Sequence, residues 1–246
     1  MIRLSVNVNK VATVRNSRGG AVPSVLEAVR VCVAAGAPGI TVHPRADARH
    51  ITSADVQEVS AWLQTLSGRV EFNIEGDPRP DLLHMVHAAK PTQCTLVPVK
   101  PGEVTSQAGW SPHTPREEMA AVVRGLQSDG IRVSIFVDPE EAPIRWAADI
   151  GADRVELYTE PFARAFKRGD ADARASFEVY AKAANLAASL GLGVNAGHDL
   201  DLENLVLFRQ LPRLDEVSIG HALISHALFV GLERSVRDYL QALSVK

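Results

Sequence analysis

The sequence is short of several things, and each shortage excludes a class of protein. It has two cysteines, Cys32 and Cys94, in 246 residues. They lie in apolar surroundings far apart in the chain, so they read as buried thiols of a reducing compartment and not as a disulfide framework. Aromatic residues make up 5%, few for the stacking platforms that hold single-stranded nucleic acid. There is no basic surplus: 26 Lys and Arg stand against 29 Asp and Glu, a formal charge of −3. That argues against a general nucleic-acid partner. No run approaches the roughly 18 uncharged apolar residues that mark a membrane span. Residues 1–7 lack the long apolar stretch of a signal peptide. The expectation is a soluble, cytoplasmic protein with no nucleic-acid or membrane partner. Linkers of low complexity, charge blocks and composition shifts are also missing, which favours one domain over residues 1–246. What is present is apolar content, 46%, enough for a sizeable core and too much for disorder.

Short runs rich in Val, Ile and Leu recur at 4–8, 39–43, 70–75, 94–98, 132–138, 154–159, 193–197 and 216–220. They read as near-continuous apolar runs, the pattern of strands buried on both faces of a parallel sheet. Stretches of helical spacing lie between them. Val25, Ala28, Val29, Cys32 and Val33 share one face, as do Val56, Val59, Leu63 and Leu66, and again Met119, Val122, Val123 and Leu126. The Ala-rich stretch 172–190 is strongly helix-favouring. Gly130, Gly151 and Gly191 follow helices and precede strands. Parallel strands need crossover helices, and eight such units in about 250 residues fit a closed (β/α)8 barrel. An open doubly wound sheet would usually carry a G-x-G-x-x-G turn after a strand, and none is found. The predicted fold is a single (β/α)8 barrel.

In such a barrel the catalytic groups come from the C-terminal ends of the strands. Those ends carry Asn7, Asn9 and Lys10, then Arg15 and Arg18; His43, followed by Arg45, Arg49 and His50; Asn73 and Glu75; Lys100 and Thr105; Glu156, Tyr158 and Thr159; Asn195, Gly197 and His198; and Gly220 and His221. Four of the eight histidines thus gather near one rim. Each group also has a purely structural explanation, since a lone strand-end His is often just hydrogen-bonded and loop arginines are often just solvated. His84 and His87, three apart on a helix, read as surface histidines. Glu75 and Glu156 are harder to explain structurally, because a carboxylate inside a barrel is costly unless paired or poised for proton transfer. Arginine is the preferred planar donor to phosphate. Gly-His pairs after the last two strands suit backbone contact to a phosphate at a helix N-terminus. Together these point to an acid–base enzyme acting on a small phosphorylated substrate.

Six stretches carry a family resemblance: LSVNVNKVATVRNSRGG (4–20), GITVHPRADARHI (39–51), FNIE (72–75), LVPVKPGEVTS (96–106), SLGLGVNAGHDL (189–200) and SIGHALI (218–224). In this order, over nearly the whole chain, they resemble the pyridoxine 5′-phosphate synthase family. The resemblance implies a (β/α)8 barrel with additional helices, a homo-octamer, and no organic cofactor or metal. It implies condensation of 3-amino-2-oxopropyl phosphate with 1-deoxy-D-xylulose 5-phosphate to pyridoxine 5′-phosphate, phosphate and water. By the same resemblance His43 and Glu75 are proton acceptors and His198 a proton donor, while Glu156 stabilises a transition state. Asn7, Arg18, Gly220 and His221 match contacts to the amino-ketone phosphate. Arg45, His50 and Thr105 match contacts to the deoxyxylulose phosphate, as do the positions of Asn9 and Lys10.

The chain departs from the family where Asn9-Lys10 replaces an Asp-His pair, which removes a carboxylate and fixes a cation. It departs again at Asp199, where the family usually has Gly. A backbone N–H contact survives there, and the Asp199 carboxylate is expected to point away from a phosphate that would repel it. Two other functions fit the bare residue types. A metal-dependent epimerase or aldolase would use His43, Glu75, His198 and His221 as ligands. A non-catalytic barrel would leave so many ionisable groups on one rim unexplained. A Schiff-base aldolase would need a lysine inside the barrel, and no interior strand run supplies one.

Overall fold

The computed structural model describes residues 1–99 and 106–244. Eight parallel strands close in chain order: β1 (Arg3–Asn7), β2 (Gly39–Val42), β3 (Glu71–Gly76), β4 (Gln93–Leu96), β5 (Arg132–Val137), β6 (Arg154–Tyr158), β7 (Gly193–Gly197) and β8 (Leu214–Ile219). The last pairs with the first, Ser5 opposite Ser218. This is the expected (β/α)8 barrel, and each strand lies within about two residues of its expected place.

Eleven helices are found among the described residues: α1 (Asn9–Asn16), α2 (Val25–Ala34), α3 (Ser53–Gln64), α4 (Pro80–Ala89), α5 (Arg116–Ser128), α6 (Glu141–Asp149), α7 (Glu160–Arg168), α8 (Asp170–Ser189), α9 (Leu205–Phe208), α10 (His221–Val230) and α11 (Leu232–Ser244). None is long and apolar enough to cross a membrane. The helical faces pack as their spacing predicts, with Val25, Ala28, Val29 and Cys32 of α2 buried. Val56, Val59 and Leu63 of α3 are buried likewise. Helix α3 begins at a capping box in which Thr52 and Asp55 satisfy each other's backbone N–H groups.

One feature of the strands differs from the sequence expectation. They are not apolar on both faces. In β1 Leu4 and Val6 face the helices, while Arg3, Ser5 and Asn7 alternate with them, as strand periodicity requires. Glu71, Asn73 and Glu75 do the same on β3, opposite Phe72 and Ile74. The apolar core therefore lies between sheet and helices, and the interior of the barrel is polar.

That interior is hydrogen-bonded in tiers. At its base Arg132 pairs with Glu71 at 2.5 Å, and Arg3 with Glu71 and with Glu216, the latter at 3.5 Å. Arg154 donates to Asn195 at 2.7 Å. Above this, Ser5 and Thr41 share a hydrogen bond of 2.6 Å, Asn73 donates to Thr41 at 3.3 Å, and Thr95 donates to Asn73 at 3.0 Å. Paired polar groups of this kind avoid the cost of a buried orphan. The top tier, at the C-terminal ends of the strands, is the site.

Candidate active site

A cavity of about 460 Å³ opens at the C-terminal end of the barrel. It brings together Asn7, Asn9, Lys10, His43, Arg45, His50, Glu75, Glu156, His198, Asp199, Gly220 and His221, twelve of the residues expected from the sequence. Arg18 is different: it is exposed on the turn after α1 and does not line the cavity. Thr105 lies outside the described residues, as does Lys100.

At the floor, Glu75 is held on three sides. Asn7 Nδ2 donates to Glu75 Oε2 at 3.4 Å, and Ser218 Oγ donates to Glu75 Oε1 at 3.4 Å. His43 Nδ1 lies 3.8 Å from Oε2. Burial, then the charge of Glu216, pushes the Glu75 carboxyl up to about 8, against the pull of the Ser218 hydroxyl. Glu156 is buried beside it, and its carboxyl is raised well above the ordinary range by desolvation and by Glu75 and Glu216. His43 moves the other way. Burial, with the charges of His50, Arg45, His198 and Arg79, holds it neutral. Its Nε2 is buried without a hydrogen-bond partner among the described residues. The floor thus pairs a neutral imidazole with two carboxyls that hold their protons above the ordinary carboxylate range. Groups poised this way can accept and donate protons at small cost.

The wall formed by β1, β2 and their loops is cationic. Lys10, Arg45 and Arg49 supply its charge, with the neutral His50 beside them. Burial and the charges of Arg45 and Lys10 push His50 down to about 4. Its Nδ1 accepts from the Ile51 N–H at 3.0 Å, which leaves the proton of the neutral ring on Nε2. The loop that carries His43 and His50 is anchored by neighbouring elements. Asn9 Oδ1 accepts from the His43 N–H at 2.9 Å. Arg15 and Asn16 donate to the His50 carbonyl at 3.2 and 2.8 Å. Arg79, after β3, donates to the Pro44 carbonyl at 2.5 Å.

Next to it, after β8, Gly220 begins α10, whose first turn has no side-chain cap. Its free N–H groups and the helix dipole favour an anion. A Cβ at Gly220 would sit 3.1 Å from the Asn7 side chain, so glycine permits the close approach of β8 to β1. Gly197 serves the same end on β7, because a Cβ there would fall on the Glu156 carboxylate. His198 and Asp199 follow in left-handed conformations, φ 81° and 57°. Asp199 is exposed at the rim.

Ser218, Thr13 and Ser106 also line the cavity and were not anticipated. Ser218 was findable, since it lies two residues before Gly220 and therefore on the same face of the strand. Thr13 and Ser106 carry no comparable signal. His84 and His87 stand apart on α4, where His87 pairs with Asp129 at 2.7 Å. Among the described residues, no three His, Cys, Asp or Glu side chains form a group able to hold a metal ion. The cavity thus combines two neighbouring anion-favouring regions with acid–base groups.

Known proteins share this chain's features. Residues 4–245 match the family described as pyridoxal phosphate biosynthesis protein PdxJ. The pyridoxine 5′-phosphate synthase of Christiangramia forsetii is 50% identical over 244 residues, covering 99% of this chain and 100% of that one. The enzyme of the same name from Porphyromonas gingivalis is 49% identical over 246 residues, with both chains covered completely. Among solved structures, thiamine phosphate pyrophosphorylase from Pyrococcus furiosus superposes with a TM-score of 0.63 at 14% identity, covering 98% of this chain and 95% of that one. Phosphoribosylanthranilate isomerase from Thermotoga maritima gives 0.62 at 14% identity, covering 99% and 98%. At that identity the likeness is one of fold.

Proposed function

The chain belongs to the PdxJ family of pyridoxal phosphate biosynthesis proteins, and on that premise we propose that its cavity is the ring-closing site of a pyridoxine 5′-phosphate synthase. The reaction joins 3-amino-2-oxopropyl phosphate to 1-deoxy-D-xylulose 5-phosphate and releases pyridoxine 5′-phosphate, phosphate and water. The observation that carries this proposal is the placement of acid–base groups, His43 with Glu75 and Glu156, in one cavity with two anion-favouring regions. A reaction that joins two phosphorylated substrates and moves several protons needs that combination.

The amine of one substrate condenses with the ketone of the other to a Schiff base, with loss of water. His43, neutral, accepts a proton, and Glu75 accepts one when ionised. Phosphate and water are then eliminated, and an aldol-like closure forms the ring. His198 donates a proton to a departing oxygen. Glu156 stabilises the charge that develops beside it. Lys10, Arg45 and His50 hold the deoxyxylulose phosphate, with Thr105 and the Asn9 amide. Asn7, Gly220 and His221 hold the amino-ketone phosphate, while Arg18 lies outside the cavity. Asp199 contributes its backbone, its carboxylate turned from the ligand.

Purified protein mixed with both substrates is expected to form pyridoxine 5′-phosphate, identified by mass and absorbance. Folded protein that yields none overturns the proposal.

The same proposal includes a cytoplasmic homo-octamer of one-domain subunits. Exposed Leu228 and Phe229 at the end of α10 support a subunit contact. Light scattering is expected to give eight times the 26.5 kDa of one chain. A monomer at micromolar concentration would contradict it.

A further inference from the structure

We infer that Thr159 and Asn204 are positioning residues that clamp a strained turn and so hold the His198 ring over the cavity; this rests on the acid–base function proposed above for His198.

The argument begins with the backbone. His198 and Asp199 are consecutive non-glycine residues with φ of 81° and 57°. Only a few per cent of residues with a Cβ adopt this region, and although His and Asp enter it more readily than most, two in succession are uncommon. Such conformations persist where the surroundings over-determine them. Two buried polar side chains do so here. Thr159, fully buried at the junction of β6 and α7, aims Oγ1 at two carbonyls. It donates to Gly197 O at 2.6 Å and also reaches His198 O. A hydroxyl has one proton, so the two carbonyls share it and are drawn to one point. Beyond the turn, Asn204 Nδ2 donates to Asp199 O at 2.9 Å. Asn204 Oδ1 meanwhile accepts from the Asp201 N–H at 3.0 Å, and the Asn204 N–H donates back to Asp201 Oδ1 at 2.8 Å. All three carbonyls of the turn are therefore tied from behind, which leaves the His198 side chain on the cavity side.

The ring then meets a socket. Phe136 lies 4.9 Å from it, centroid to centroid, and Tyr158 packs edge-on at 5.5 Å. With Val97 these two form a small apolar cluster separate from the main core, in a barrel whose interior is otherwise polar. Neither Thr159 nor Asn204 lines the cavity. Their effect on the reaction is carried through His198.

Thr159→Val keeps the shape and removes the hydroxyl. It is expected to lower kcat by about 10- to 100-fold, the cost of misplacing a reacting group by up to about 1 Å, with KM for both phosphates unchanged. In the substrate-free protein, the rings of Phe136 and Tyr158 are expected to shift the His198 imidazole proton signals, which are assigned by their loss in His198→Asn. In Thr159→Val they are expected to move toward solvent values, and Thr159→Ser is expected to restore both signals and kcat. Asn204→Asp keeps the acceptor, loses the donor to Asp199, and is expected to shift the same signals should Thr159→Val not fold. Unmoved imidazole signals in a folded variant overturn the inference. Moved signals in a protein that makes no product leave the clamp standing and refute the synthase instead.

Discussion

Replacing Glu75 with glutamine is expected to lower kcat by about 10²- to 10⁴-fold, the span that a positioned acid–base group contributes. Glutamine fills the same space, keeps one acceptor oxygen for Asn7 or Ser218 and puts an amide N–H in place of the other, but it cannot carry a proton away. The same substitution separates activity from stability. Burial and Glu216 raise the Glu75 carboxyl from its ordinary 4.5 to about 8. A group whose pKa rises on folding gives stability that is whole below its unfolded value and is lost as pH climbs through the folded one. The parent protein therefore loses stability between pH 4.5 and about 8, on the order of a few kcal/mol. The glutamine variant does not share that loss, so its Tm advantage is expected to widen from about pH 5 to about pH 8. For the parent, kcat/KM is expected to rise toward pH 8 as the Glu75 carboxyl ionises, and the variant's profile is expected to lack that rise. Equal kcat in the two proteins would remove Glu75 from the chemistry. A Tm difference that stays constant with pH would contradict its raised pKa.

Gly197→Ala is the second large effect. The glycine is not needed for an unusual φ, so alanine strains no backbone there. The difficulty is space: the new methyl falls on the Glu156 carboxylate and 3.3 Å from the Ser218 carbonyl. The Ser218 carbonyl is backbone and holds its place, so the Glu156 carboxylate, the end of a side chain that lines the cavity, is the group displaced. Overpacking of this kind costs about 1–3 kcal/mol, and a carboxylate pushed about 1 Å from its place costs about 10²-fold in rate. Thermal melts and steady-state kinetics read the two effects separately. A variant as active as the parent would mean that Glu156 does not act from this position.

The fold was legible because its punctuation is local. Every apolar run but the first is bounded by glycine or proline, and helical spacing fills the intervals, so all eight strands could be placed. The polarity of the barrel interior was written in the same strands, in Arg3-x-Ser5-x-Asn7 and Glu71-x-Asn73-x-Glu75, but the Val, Ile and Leu between those positions masked the alternation. Site residues at strand ends were legible for the same reason, since one end of every strand faces one rim. The clamp was not. Thr159 and Asn204 act only through where the chain turns after β7, and His and Asp, though they enter the left-handed region more readily than most, do so too seldom for the sequence to mark the turn at 198–199. Arg18 shows the opposite case: its place in a motif puts it with the substrate contacts, while in the structure it is exposed on the turn after α1.

The polar interior has a consequence for how the barrel assembles. Side chains alternate across each strand, so a slip of one residue exchanges its two faces. A slipped β3 would drive Glu71 and Glu75 into the apolar shell beneath the helices and turn Phe72 and Ile74 toward a tier of unpaired hydroxyls and guanidinium groups. Each such exchange strands charges that no neighbour can satisfy. The carboxylates proposed here for chemistry thus also proofread the barrel, penalising every closure but the one that gathers them at the same rim.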